Sequence, residues 1–263
     1  SLIMPKKSKV DLKYKEFRVK NNLIELKNLE AFKKSPSLML EIFVKLWENP
    51  QITGIHSDTL KKLKENRNLI NASFRKKKKN IDLFMKLIRS PRLMVTQLEQ
   101  MKQLGILGKY LPEFGRVTGQ MQYDIFHIYT VDANTHQVLR NMRRLLLGTS
   151  KETYPFASEL TKKLPKLEIL YIAGLYHDIG KGRGKDHSEL GTKIVKRFCD
   201  RHKLTKKDSA LLEWLVQNHL KTSITSQTED LSNPKVISSF SDIAGNEEKL
   251  NYLHCLNDPD ISA

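Results

Sequence analysis

Residues 176–191 read YHDIGKGRGKDHSELG, collecting a His177–Asp178 pair, an Asp186–His187 pair, four glycines and three cationic side chains within sixteen positions. An imidazole nitrogen beside a carboxylate oxygen suits a borderline or hard divalent ion (Mn, Fe, Zn or Mg) rather than a soft one. One such pair is also compatible with purely structural roles, because buried ionisable groups can be satisfied by protein partners. The surrounding elements therefore matter.

The segment PKLEILYIAGLYHDIG has Pro165 at a plausible first turn, is apolar on nearly all sides and stops at Gly180. That pattern predicts a central buried helix with His177 and Asp178 at its end, where both side chains can reach one ion if the terminus opens on a cleft. In SALLEWLVQNHL the apolar stripe Leu212, Leu215, Val216 continues to His219, which aims an imidazole inward. In KLNYLHCLNDPDISA the stripe Leu250, Leu253 and Leu256 or Asn257 continues to Asp260. Taken singly, His219 reads as well as a core histidine donating to a carbonyl, and Asp260 as a helix-end acid beside Pro259. Together, four inward acids and imidazoles on three helices are hard to explain without a cation to neutralise them.

HDIGKGRGKDHSELG resembles the HD metal-dependent phosphohydrolase superfamily and, within it, the uridylyl-removing portion of the bifunctional enzymes that uridylylate and deuridylylate the PII signal protein. The likeness runs in the same order through NPQITGIHSDTL, LGKYLPEFGRVTGQMQYDIFHIYTVD, WLVQNHL, SITSQTEDLSNPKVI and YLHCLNDPDISA. It implies that His177 and Asp178 are the HD doublet, that Asp260 is the distal metal aspartate, and that His187 and His219 are the further histidines of a two-metal site. Lys181 matches a lysine that contacts phosphate. Arg183 lies in the same loop, where Gly180, Gly182 and Gly184 allow close backbone approach to an anion, though a surface arginine is the plain alternative. By this likeness Asp178 and Lys181 act in catalysis, and the cofactor is a divalent metal, Mn or Mg ahead of Fe or Zn. The substrate is uridylylated PII and the reaction is hydrolytic release of UMP.

Two positions depart from the pattern. The first metal histidine is replaced by Asn134, whose amide oxygen ligates hard cations but is a poorer ligand for late transition metals. His136, two residues on, faces elsewhere on a helix, and His127 lies upstream in a loop. Pro259 precedes Asp260, removes a helical hydrogen bond and is expected to kink the segment. Asn134 keeps a second reading open, a catalytically degenerate regulatory scaffold. A third is an HD hydrolase acting on a free nucleotide.

The expected fold is mostly α: a helical connector over residues 1–115 with a short N-terminal β-hairpin, then a helical HD bundle over residues 116–263. EFRVKNNLIEL predicts the hairpin, turning at Asn21-Asn22, and it is the clearest β signal in the chain. Ser37 is placed to cap LMLEIFVKLWE, which has Leu38, Ile42 and Leu46 on one face and ends at Asn49-Pro50. NIDLFMKLIRS follows with Ile81, Phe84, Met85 and Ile88, and VTQLEQMKQLGILG breaks at its glycines. Residues 105–120 are the least regular and hold the domain boundary.

The formal charge is +17, and residues 1–80 account for 12 of it, with 20 Lys/Arg against 8 Asp/Glu. The run Arg75 to Lys79 lacks interleaved aromatics and reads as a solvated turn ahead of an RNA-binding arm, so nucleic acid is not the expected partner. Two distant cysteines without metal spacing point to a reducing cytoplasm. The apolar stretch Leu167–Tyr176 is about half of the roughly 20 residues a membrane span needs, so no membrane association is expected. Ser1-Leu2-Ile3 reads as a cloning remnant. The transferase domain and the glutamine-sensing domains of the resembled enzymes are not in this sequence, which reads as a fragment of one of them.

Overall fold

The computed structural model describes residues 14–90, 94–114, 137–144, 155–180, 187–228 and 245–261. They are mostly helical, with one small sheet, and the chain divides into two compact units. The first comprises residues 1–87 and 100–110; the second, residues 88–99 and 111–263.

In the first unit, β1 (Phe17–Lys20) and β2 (Leu23–Leu26) pair antiparallel with Lys20 opposite Leu23. Asn21 and Asn22 both take positive φ, 52° and 62°, the geometry of a two-residue turn whose twist matches the strands. Arg18 and Glu25 sit opposite each other and bond at 2.6 Å across the ladder. The periodicity does not reveal β3 (Gly54–Ile55), which adds parallel to β2 through Leu23 and Ile24. Two residues are too few for an alternation to show.

Helices α1 (Ala31–Lys34), α2 (Leu38–Glu48), α3 (Ser57–Asn66), α4 (Ala72–Lys76) and α5 (Lys78–Ile88) follow. Around α2 the core closes on almost every side: Met39, Leu40, Phe43 and Val44 are buried along with the face formed by Leu38, Ile42 and Leu46. Ser37 precedes α2 but does not cap it through its side chain, because its backbone is already helical. The caps in this unit are His56, whose Nδ1 accepts from the Asp58 N–H, and Asn71, whose Oδ1 accepts from the Phe74 N–H. The basic run spans the junction of α4 and α5. Arg75 donates to the Lys109 carbonyl at 2.9 Å, while Lys76 to Lys79 are exposed. Helix α6 (Met94–Gln103) is followed by a turn at Gly105, which has φ +72°, and then by α7 (Ile106–Tyr110).

The second unit contains α8 (137–144), α9 (Pro155–Lys163), α10 (Leu167–Tyr176), α11 (His187–His202), α12 (Lys206–Thr228) and α13 (Glu247–Ile261). Helix α10 is its axis, with every residue from Ile169 to Tyr176 buried; α12 and α13 pack on it, α11 on α12, and α9 on α13. Pro165 stands outside α10, whose N-cap is Lys166. The Tyr252 hydroxyl of α13 holds that cap twice, accepting from the Lys166 N–H and donating to the Lys166 carbonyl, each at 3.0 Å. Lys166 Nζ reaches Asp208 at the start of α12, at 2.6 Å. At Gly174 a Cβ would stand 2.7 Å from Met142 Cε and 2.8 Å from its Sδ, so the bare backbone lets α8 lie close against α10. Pro259 does not end α13, which runs through it to Ile261.

Candidate metal centre

The site forms where α10 runs out. His177 is the C-cap residue and keeps a helical backbone (φ −54°, ψ −40°), and the Ile179 N–H bonds the Tyr176 carbonyl in the turn beyond. His177 and Asp178 are each only 3% exposed, as the apolar helix leading into them requires. His219 extends the Leu212–Leu215–Val216 stripe of α12 and is 1% exposed. The rings of His177 and His219 meet edge to face, with centroids 4.7 Å apart, and His177 Nε2 lies 3.5 Å from Asp178 Oδ2. One ligand atom from each of His177, Asp178 and His219 falls within 4.8 Å of the others, close enough for one ion.

The outer ring nitrogens are occupied by neutral acceptors. His177 Nδ1 lies 2.7 Å from the Gly174 carbonyl, and His219 Nδ1 lies 2.9 Å from Asn257 Oδ1 on α13. A backbone carbonyl can only accept, so His177 donates from Nδ1 and its Nε2 points the other way, towards Asp178. Two buried imidazoles and one buried carboxylate form a donor set that fits a divalent cation of borderline hardness. The sequence puts Asn257 on the inward stripe but gives it no role; only the fold, by crossing α12 with α13, brings it to a histidine 38 residues away.

The residue before the doublet, Tyr176, belongs to a second, part-buried polar cluster that periodicity does not reveal. The Tyr176 hydroxyl donates to Glu113 Oε1, which also accepts from Arg201 Nη2 of α11 at 2.8 Å. Burial, then the Glu113 charge, pushes the Tyr176 hydroxyl well above its ordinary value, so it remains a donor. Nearby on α11, His202 donates from Nδ1 to the Phe198 carbonyl and stacks on the Phe198 ring at 3.9 Å; burial lowers its pKa to about 3.

The remaining site candidates are placed less fully. His187 opens α11 and Asp260 falls in the last turn of α13; their side chains are outside the described residues. Asn134, His127, His136, Lys181 and Arg183 also lie outside them.

Comparison with known proteins agrees with this geometry in two stretches. Residues 17–110 match the family model "Uridylyltransferase GlnD third domain", and residues 147–253 match the HD domain. The chain is 49% identical over 247 residues to bifunctional uridylyltransferase/uridylyl-removing enzymes of Pseudomonas putida (strain W619) and Stutzerimonas stutzeri (strain A1501). It is 47% identical to that of Azotobacter vinelandii (strain DJ). Each match covers 94% of this chain, which spans just over a quarter of the length of these relatives (27–28%).

Proposed function

We propose, from the premise that this chain belongs with the third-domain and HD-domain stretch of the bifunctional uridylyltransferase/uridylyl-removing enzymes, that it hydrolyses the phosphodiester joining UMP to a uridylylated PII signal protein. The observation that carries the reading is the buried convergence of His177, Asp178 and His219. An isolated ionised carboxylate is costly to bury, and one beside two imidazoles presenting lone pairs suits a cation. Those three side chains would hold it, with Asp260, His187 and Asn134 as further ligands by likeness to the family. A divalent ion, Mn or Mg by preference, supplies Lewis acidity there, acidifying water and drawing charge from phosphoryl oxygens.

The chain's own groups do the rest. Gly174 and Asn257 orient the imidazoles, and the apolar end of α10 keeps bulk water from competing. Lys181 and Arg183 bind the phosphoryl oxygens and stabilise charge there as the tyrosyl oxygen of PII departs. The products are UMP and unmodified PII. We take residues 116–263 as the HD domain and residues 1–115 as the connector, and glutamine sensing as the task of domains outside this sequence. Cys199 and Cys255, both buried and neither in a disulfide, suit a cytoplasmic setting, and no helix among the described residues is long and apolar enough to cross a membrane.

The test is incubation of the purified chain with uridylylated PII and Mn²⁺, following UMP release, beside an Asn134→His variant. Release by the parent chain is the expected result. Release by the variant alone would show that Asn134 is inactivating and favour the scaffold reading. Silence from both, despite bound metal, would remove PII as substrate and leave a free nucleotide as the alternative.

A further inference from the structure

The two imidazoles at the end of α10 are oriented by different means. His177 donates to the carbonyl of Gly174, three residues earlier in its own chain segment, so its partner is backbone and cannot be lost by substitution. His219 donates to a side chain on another helix, Asn257 Oδ1, with both residues buried. We propose that Asn257 is a positioning residue that fixes His219 in the Nδ1–H tautomer and so determines which ring nitrogen the metal centre receives. The consequence for metal rests on the reading of His177, Asp178 and His219 as ligands; the tautomer itself does not.

Three observations carry the inference. The 2.9 Å separation is that of a well-formed hydrogen bond. A neutral imidazole has one donor and one acceptor nitrogen, so an acceptor oxygen at Nδ1 assigns the lone pair to Nε2. Asn257 sits one turn before Asp260 on α13, so the same helix that carries the candidate distal carboxylate also sets the angle of the α12 imidazole. An amide in this place keeps the histidine a neutral ligand, whereas a carboxylate would strengthen its donation. With Asn257 the three described donors carry one negative charge, that of Asp178.

The experiment uses the whole 263-residue chain, ¹⁵N-labelled at histidine, first without metal. Long-range ¹H–¹⁵N correlation should find His219 protonated at Nδ1, and Asn257→Leu should move it to the other tautomer or to a mixture while the remaining histidine signals stay in place. Titration with Mn²⁺ should then give about 10- to 100-fold weaker binding for Asn257→Leu, with Asn257→Asp binding at least as tightly as the parent. The Asp variant keeps the acceptor, so its behaviour separates lost orientation from a damaged fold. The proposal is overturned if His219 in the parent chain is protonated at Nε2, or if Asn257→Leu leaves the tautomer unchanged. A parent chain that binds no Mn²⁺ while showing the Nδ1–H form upholds Asn257's hold on the ring and overturns the metal reading instead.

Discussion

Each unit is built around a helix that is apolar on nearly every side, α2 in the first and α10 in the second, but the two helices end differently. Helix α2 ends at the surface, where Glu48 pairs with Lys45 at 3.1 Å and with Lys86, before Asn49 and Pro50 turn the chain away. Burial pulls the Glu48 carboxyl upward, and the two lysines outweigh it, holding it below its ordinary value. Helix α10 ends inside, on His177 and Asp178, each 3% exposed. The first unit places most of its large positive charge in water, while the second places acids and imidazoles where desolvation is costly. An apolar buried helix thus leads to an ion pair at the surface in one unit and to a buried cluster of imidazoles and a carboxylate in the other, and the ionisable groups at the helix ends tell them apart.

Five experiments, from the largest expected effect to the smallest, probe how the two units differ. Asp178→Asn should reduce UMP release to background and abolish Mn²⁺ binding, measured by calorimetry; retention of both would make the buried doublet as structural as the end of α2. Mn²⁺ at a hundred times its dissociation constant should stabilise the parent chain by about 2.7 kcal/mol. Hydrogen exchange should show the added protection in α10 and α12 and not in the hairpin of the first unit.

His202 offers a pH test. Its folded pKa of about 3 lies below the unfolded histidine value of about 6.5, so between these limits the unfolded chain binds the extra proton. Its contribution is complete above pH 6.5 and is lost as pH falls towards 3, at up to about 1.4 kcal/mol per unit. Urea unfolding at pH 7 and pH 5 should therefore differ by about 2 kcal/mol, and His202→Asn, which keeps a donor for the Phe198 carbonyl, should narrow the gap. Tyr176→Phe removes the donor to Glu113 and should cost about 1.5 kcal/mol. Lys86→Ala, which breaks the exposed pair with Glu48, should cost under about 1 kcal/mol, and less at high salt.

Much of this was legible in the sequence, for reasons that vary by element. The Asn21-Asn22 turn, the bounds of α2 and the existence of α5 follow from local chemistry, because backbone preference and helical period act within a few residues, although α5 runs from Lys78 to Ile88, two residues ahead of the segment NIDLFMKLIRS at each end. The inward aim of His219 was legible because it continues an apolar stripe. What local pattern misses is long-range pairing. β3 is too short to show a period, and Ser37 is a good capping residue placed where the backbone is already helical. The contact of Glu113 with Tyr176 spans 63 residues, and that of Asn257 with His219 spans 38. No spacing rule links such partners; they meet because helices that pack on α10 bring them there. Pro259 lies within α13, which continues to Ile261.

The pair of hydrogen bonds between the Tyr252 hydroxyl and Lys166 acts as an index mark for the second unit. It fixes the start of α10 while Glu113 fixes Tyr176 at the other end, leaving ten residues, Leu167–Tyr176, strung between two stops. Each residue advances a helix by about 100°. Deleting or inserting one residue inside that interval, with both stops engaged, would swing His177 about a quarter turn away from its partners. Apart from Gly174, where a Cβ would meet Met142, and Tyr176, whose hydroxyl is one of the stops, side chains along this stretch can drift in identity, but their number cannot.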